Sequence, residues 1–300
     1  MRIGIDLGGT KTEIIALAAD GSTLLRYREP TPAGNYEETL RLIVGLVDKA
    51  KRAAGASASI GIGTPGALSL LTGAIKNANS TCLNGREFKR DIEARLGQEV
   101  RIANDANCFA LSEATDGAGQ GVACVFGVIL GTGVGGGVVV HGQVLTGANA
   151  IAGEWGHNPL PLPQVADLPL PACYCGRSGC IETYLCGPAL VRDHLTQAGV
   201  HLDAAGIARG DMAGDAACEA TLSRYEERLA RALALVINVI DPDVIVLGGG
   251  LSAIGRLYTN VPRLWTRQVF SDHVATRLVR NVHGDSSGVR GAAWLWGRSP

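Results

Sequence analysis

The chain has 300 residues, 46% of them hydrophobic and 18% charged, with a formal net charge of -1. That length allows two packed domains, and the near-neutral charge excludes the basic field that nucleic acid or an anionic membrane surface requires. No apolar run reaches the ~20 residues of a membrane span. No charged leader or cleavage site precedes the opening run Ile3-Gly4-Ile5-Asp6-Leu7, which predicts a protein that stays in the cytoplasm. There the clustered Cys173, Cys175 and Cys180 read as a metal site, and Cys82, Cys108, Cys124, Cys186 and Cys218 as packing thiols.

In chain order, residues 2–7 and 11–18 predict two strands joined by Gly8-Gly9-Thr10, and residues 23–28 a third, so a β-meander opens the protein. Residues 35–54 carry apolar positions at helical spacing, among them Leu40, Ile43, Val44 and Val47. A buried strand at 59–63, a helix at 88–96 and a strand at 100–103 follow, and Asn104-Asp105 opens the next helix. The frame Gly4-x-x-Leu7-Gly8 then recurs as Gly127-x-x-Leu130-Gly131. A second glycine turn through Thr132, Gly133, Gly135, Gly136 and Gly137 leads into a strand at 138–140, which suggests two related halves. A helix over 220–240, a strand at 244–247 ending in Gly248-Gly249-Gly250, and a closing helix over 289–296 complete the pattern.

Asp6-Leu7-Gly8-Gly9-Thr10-Lys11 lacks the Walker spacing and is followed by a strand, so neither a P-loop nor a Rossmann fingerprint fits. What remains is a hairpin turn whose backbone N–H groups can meet phosphate oxygens, helped by the Thr10 hydroxyl and the Lys11 charge. A carboxylate at Asp6 would repel phosphate unless Mg²⁺ mediates. Either turn alone could be a plain glycine turn; two of them plus a triple-glycine strand end point to a nucleotide between two halves. By itself, Asn104-Asp105 before a helix reads first as an N-cap. His157, Cys173, Cys175 and Cys180 offer one imidazole and three thiolates, a set suited to structural Zn²⁺, although Cys-x-Cys is tighter than usual finger spacing. Glu154 and His157, three residues apart, would share one face of a helical turn.

The combination Asp6-Leu7-Gly8-Gly9-Thr10-Lys11, Gly63-Thr64-Pro65-Gly66, Asn104-Asp105, Gly131-Thr132-Gly133, Glu154-Trp155-Gly156-His157 and Cys173-Tyr174-Cys175-Gly176-Arg177-Ser178-Gly179-Cys180-Ile181-Glu182 resembles the ROK family of sugar kinases and repressors across essentially the whole chain. The resemblance implies an α/β, duplicated RNase H-like (actin-like ATPase) fold of two domains with an interdomain cleft. Residues 1–118, with the closing helix 289–300, would form one lobe, and 119–288, carrying the zinc loop, the other. It implies Asp105 as catalytic base, with Gly66, Asn79, Asn104, Glu154, His157 and Glu182 joining it in sugar contacts. It places ATP and Mg²⁺ at Asp6, Gly8, Gly9, Thr10, Lys11, Gly131, Thr132, Gly133, Gly135 and Gly248 to Gly250. Zn²⁺ falls to His157, Cys173, Cys175 and Cys180.

Within the family, residues 76–81 and 156–161 look most like fructokinases, whereas 104–113 and 129–137 look equally like N-acetylglucosamine kinases. The expected reaction is phosphorylation of free fructose, with N-acetylglucosamine, mannose or glucose as alternatives. The non-enzyme alternative is a silent sugar-binding protein or repressor, though no helix-turn-helix fits ahead of Asp6. The expected partners are a hexose, ATP and a second copy of the chain.

Overall fold

The computed structural model describes residues 1–54, 57–78 and 80–297. Strands β1 (Arg2–Leu7), β2 (Lys11–Leu17), β3 (Thr23–Pro30) and β4 (Ser59–Thr64) follow the meander and buried strand expected from sequence. Helix α1 (Tyr36–Ala54) lies between β3 and β4; a short hairpin, β5 (Ala67–Leu68) and β6 (Ile75–Lys76), α2 (Phe88–Leu96), β7 (Val100–Asn104) and α3 (Asp105–Asp116) come after. The first sheet has the order β3-β2-β1-β4-β7, with β1, β4 and β7 parallel.

Next come β8 (Cys124–Leu130), β9 (Val134–Val140) and β10 (Gln143–Val144), then α4 (Glu182–Leu185), α5 (Gly187–Ala198), α6 (Ala204–Met212) and α7 (Ala216–Ile240). The chain ends with β11 (Val244–Gly248), α8 (Leu257–Trp265), β12 (Arg277–Arg280) and α9 (Ser287–Trp294). The second sheet has the order β10-β9-β8-β11-β12. Counted along the chain, each sheet runs third, second, first, fourth, fifth strand, so the duplication suggested by one glycine frame extends to the whole strand order.

Two compact units result. One comprises Met1–Gly121, Gly137–Ala152 and Val282–Pro300, the other Val122–Gly136 and Gly153–Asn281. In the first unit, period-2 alternation sorts the sheet into two different faces. Ile3, Ile5, Ile60 and Ile62 are fully buried in a core with Leu40, Ile43 and Val47 of α1 and Phe88 and Ile92 of α2, each such side chain stabilising the fold by about 1.5–3 kcal/mol. Their alternates Gly4 and Gly61 face α9: a Cβ on Gly4 would stand 2.1 Å from the Val289 carbonyl oxygen, and one on Gly61 1.8 Å from that of Ala292. Glycine is thus required there so that a helix can lie directly on the sheet.

In the second unit α7 is the central helix. Asp215 caps it by accepting hydrogen bonds from the amides of Ala217 and Cys218, and its buried stripe includes Tyr225, Leu229, Leu233 and Ile237. Among the described residues no helix is long and apolar enough to cross a membrane.

Candidate active site and metal centre

Parallel strands β1, β4 and β7 end in register, Asp6 beside Gly63 and Thr64 beside Asn104. The Asp6 motif, the Gly63 segment and Asn104-Asp105 therefore share the carboxyl edge of one sheet, where open α/β sheets bind ligands. Asn104 caps α3, its Oδ1 accepting from Asn107 N at 2.8 Å, and Asp105 Oδ1 accepts from Ala106 N at 2.8 Å. Capping uses one oxygen of each side chain and leaves the Asn104 amide nitrogen and the second Asp105 oxygen for other partners. Asp105 is exposed enough to be reached, yet the protein crowded around its carboxyl withdraws water and raises its pKa, which makes it the better proton acceptor.

Asp6 is half-buried, and its pKa is pushed up to about 7. Burial is the main cause, followed by the charges of Asp105 and Glu13, against the pull of Lys11 and Arg28. Glu13 stands opposite Asp6 on β2 but is clasped by Arg26 and Arg28 of β3. The two arginines, missed in the sequence reading, could have been found from their i, i+2 spacing on the strand that pairs with β2. Gly8 N donates to Lys11 O at 3.1 Å to close the hairpin, and Thr31 braces it by donating its hydroxyl to Gly8 O and its amide to Thr10 O. Beside this turn lies a cavity of about 320 Å³ lined by Gly9, Thr10, Pro32, Thr39, Ser80 and Leu83 among others.

Gly66, at φ +75°, leaves no room for a side chain because Lys76 O lies 2.3 Å from its Cβ position, so the chain crossing at 76–78 is reason enough for glycine there. Asn79 lies outside the described residues.

In the second unit, Gly131 N donates to Gly133 O at 3.0 Å, and Gly187 N, at the start of α5, donates to Gly131 O at 2.7 Å. Glu182 reaches the same turn: its Oε2 accepts from Val134 N at 2.9 Å. The glycine turn is shorter than expected, because β9 starts at Val134 and takes in Gly135, Gly136 and Gly137. β9 hydrogen-bonds to β8, and the indole of Trp155 packs on Gly135 and Gly136. It donates to Gly135 O at 3.1 Å, and a Cβ on Gly136 would lie 2.7 Å from its ring. Gly249, at φ +77°, is held 2.4 Å from Leu130 O at its Cβ position. Gly248 ends β11 beside Ile129 of β8, and Gly250 begins a short 3-10 turn with open space around it.

The expected helical turn across Glu154 and His157 is absent; residues 151–160 form turns. Gly153 at φ +91°, Gly156 and Pro159 oppose a helix. Gly156 is needed because Val134 O lies 2.3 Å from its Cβ position. His157 nevertheless meets the cysteines. The ligand atoms of His157, Cys173, Cys175 and Cys180 lie within 4.8 Å of one another, with His157 Nδ1 3.5 Å from Cys173 Sγ and Cys175 Sγ 3.6 Å from Cys180 Sγ. A tetrahedron with ~2.3 Å zinc–sulfur bonds has edges of about 3.8 Å, so the set fits Zn²⁺. Arg177 holds the Cys175 thiol pKa down to about 6 while burial pushes that of Cys180 up to about 12, so of these two Cys175 is the readier thiolate for a metal. The other ring nitrogen of His157 is 2.9 Å from the Tyr174 hydroxyl.

A second clamp on the proline-rich loop was not anticipated. Asp167, buried, receives Arg228 Nε and Arg231 Nη2 at 2.7 Å each. Arg228 also bonds Asp193 and Ala166 O, and Arg231 bonds the carbonyls of Pro161 and Leu162. The signal was available as two arginines three apart on the apolar stripe of α7, where unpaired charge is not tolerated.

The paired sheets, glycine turns at the strand ends and the acidic residues beside them define a mixed α/β protein of the actin-like ATPase fold. A family model described as ROK family matches residues 2–299, and the chain belongs to the ROK family. It is 40% identical to an N-acetyl-D-glucosamine kinase from Photobacterium profundum, over 98% of this chain and 99% of that protein. Among solved structures it resembles a ROK hexokinase from Thermus thermophilus, with a TM-score of 0.85 and 32% identity over 98% of this chain and 97% of the other. It also resembles a ROK family glucokinase from Streptomyces griseus in complex with glucose and AMPPNP, with a TM-score of 0.76 and 27% identity over 98% of both chains.

These relatives correct the expectation of a fructokinase, since curated full-length relatives at 38 to 40% identity are named N-acetyl-D-glucosamine kinase. The physical reason for the error lies in the segments that favoured fructose. Residues 156–161 lead from a zinc-suited histidine into the clamped loop, so their composition follows loop geometry and carries little information on the sugar's C2 group.

Proposed function

We propose that this protein transfers the γ-phosphoryl group of ATP to a hydroxyl of N-acetyl-D-glucosamine. The observation that carries this reading is full-length similarity to kinases named for that sugar, and the position of Asp105 supports it. Phosphoryl transfer asks a protein for placement, charge neutralisation and an acceptor for the hydroxyl proton. In the first unit, Asp105 is the acceptor: reachable, raised in pKa, and fixed in direction by the Ala106 amide. Asn104 beside it offers amide hydrogens to a neighbouring sugar hydroxyl. With Gly8 N closing the hairpin on Lys11 O, the turn offers the backbone N–H groups of Gly9 and Thr10 to phosphate, and Asp6 would hold Mg²⁺, which neutralises phosphate charge. In the second unit, Glu154 and Glu182 accept hydrogen bonds from sugar hydroxyls. His157, whose Nδ1 faces the cysteines, donates from Nε2–H to a sugar oxygen that replaces the Tyr174 hydroxyl. The turn at Gly131 with the Gly248 to Gly250 strand end meets the nucleotide. His157 and the three cysteines would hold Zn²⁺, which supplies structural order to the loop. ATP as phosphoryl donor fits a cytoplasmic setting.

A coupled ATP-consumption assay over N-acetylglucosamine, glucose, mannose, fructose and N-acetylmannosamine tests the reading. N-acetylglucosamine is expected to lead in kcat/KM by at least about tenfold, because a pocket built for an acetamide leaves polar groups unpaired when the group is missing. A lead by any other hexose overturns the substrate, and ATP consumption with none of them overturns the kinase in favour of a silent sugar-binding protein.

A further inference from the structure

Glu182 is expected to touch sugar, yet one of its oxygens is already committed elsewhere. Oε2 accepts the amide of Val134 at 2.9 Å, the residue that follows Gly131-Thr132-Gly133. A Cβ on Gly133 would stand 2.7 Å from that same oxygen, so the bare glycine is what lets the carboxylate reach the amide. The turn's opposite end is held from the same stretch of chain, by Gly187 N on Gly131 O. Glu182 N in turn donates to Gly156 O at 2.8 Å, beside His157, and Thr183 N donates to Cys180 O at 2.9 Å. A continuous brace therefore runs from the thiol cluster through Glu182 to the glycine turn, while Oε1 makes no hydrogen bond among the described residues.

We infer that Glu182 is a positioning residue for the nucleotide as well as a sugar contact: Oε2 holds the Gly131–Val134 turn in its phosphate-binding shape while Oε1 accepts a sugar hydroxyl. One rigid carboxylate shared by two ligands links their affinities. Sugar on Oε1 restrains the side chain, the restrained side chain keeps the turn ordered, and each ligand tightens the other by the same factor. This rests on the proposed reading of the turn as a nucleotide site.

The test is calorimetric titration of sugar-free protein with AMPPNP and Mg²⁺. Glu182→Ala is expected to weaken AMPPNP binding about tenfold, or about 1.4 kcal/mol, although no sugar is present. Gly133→Ala, which keeps Glu182 but displaces its carboxylate from the amide, is expected to do the same. Glu182→Gln, whose carbonyl can still accept the Val134 amide, should stay within about twofold of wild type. In wild type, saturating N-acetylglucosamine should tighten AMPPNP several-fold, and Glu182→Ala should abolish that gain. Wild-type AMPPNP affinity in both Glu182→Ala and Gly133→Ala overturns the inference and leaves Glu182 a sugar contact alone. Should Glu182→Ala fail to fold or lose its metal, Glu182→Asp, whose shorter side chain draws the carboxylate back from the Val134 amide, decides in its place: weakened AMPPNP binding supports the inference and wild-type affinity overturns it. Wild-type protein that binds no AMPPNP overturns instead the nucleotide reading on which the inference stands.

Discussion

Asp6 and Asp105 sit at the same sheet edge and both have raised pKa values, but different surroundings suit them to different work. Asp105 is fixed by one amide and open to a ligand. Replacing it with Asn keeps the cap and the shape but removes the proton acceptor. Turnover by Asp105→Asn should fall about 10²–10⁴-fold with sugar and nucleotide affinities retained, measured by steady-state kinetics beside calorimetry; a near-wild-type rate would remove Asp105 from the role. Asp6 has Asp105 and Glu13 as negative neighbours and Lys11 and Arg28 as positive ones. Its folded pKa of about 7 exceeds the unfolded value, so the folded state holds the extra proton between about pH 4 and pH 7. Its contribution to stability is therefore present at low pH and lost as pH rises towards 7. The unfolding free energy of ligand-free wild type relative to Asp6→Asn should decline over that window, by about 1.4 kcal/mol per pH unit at the steepest, and flatten above it. A difference that stays constant across the window would contradict the raised pKa.

At the scale of elements, glycine decides which pieces touch. Gly4 and Gly61 let α9 lie on β1 and β4, and Gly291 meets α3 with its Cβ position 1.6 Å from the Cys108 carbonyl oxygen. α3 carries Asp105 at its first residue, so packing of the closing helix bears on the placement of the proposed base. Gly61→Ala must displace backbone, and should cost about 1–3 kcal/mol or more, read as a lower denaturation midpoint with reduced turnover. The proline-rich loop is ordered by another device, the pairing of Asp167 with Arg228 and Arg231 of α7. Arg231→Met leaves the Pro161 and Leu162 carbonyls without their donor and Asp167 Oδ2 with the Gln164 amide alone. A loss of about 3–5 kcal/mol is the usual cost of breaking such a buried pair. Faster proteolysis within 159–172 and weaker metal retention are expected alongside, whereas an unchanged cleavage rate would show that the thiol cluster orders the loop unaided.

For the whole molecule, the proposed metal set and the proposed sugar contacts Glu154, His157 and Glu182 are one construction in the second unit: His157 would supply a ligand nitrogen, and Glu182 follows Cys180 by two residues. One zinc per chain is expected by elemental analysis. Chelation should lower sugar affinity about tenfold or more while the first unit's sheet keeps its far-ultraviolet signal, since that sheet has its own isoleucine core. Full activity in metal-stripped protein given only Mg²⁺ would contradict a role for zinc in ordering the sugar residues.

Much of this protein was determined by local chemistry and therefore readable from its chain. Alternating Ile and Gly specified β1 and β4, the apolar stripe specified α1, Asn104 marked a helix start, and three cysteines near a histidine announced a metal set. Those features depend on period, turn chemistry and ligand type, which adjacent residues express directly. Tertiary structure alone decided that Gly135 to Gly137 belong to a strand, since that follows from pairing with β8, with Trp155 crossing at Gly136. It likewise decided that residues 151–160 form turns rather than a helix, that Asp167 is clamped by α7, and that Glu182 reaches the Val134 amide. Each of these joins residues far apart in sequence. A choice of substrate is of the same kind, because the space around a sugar's C2 substituent is set by segments that meet only after folding.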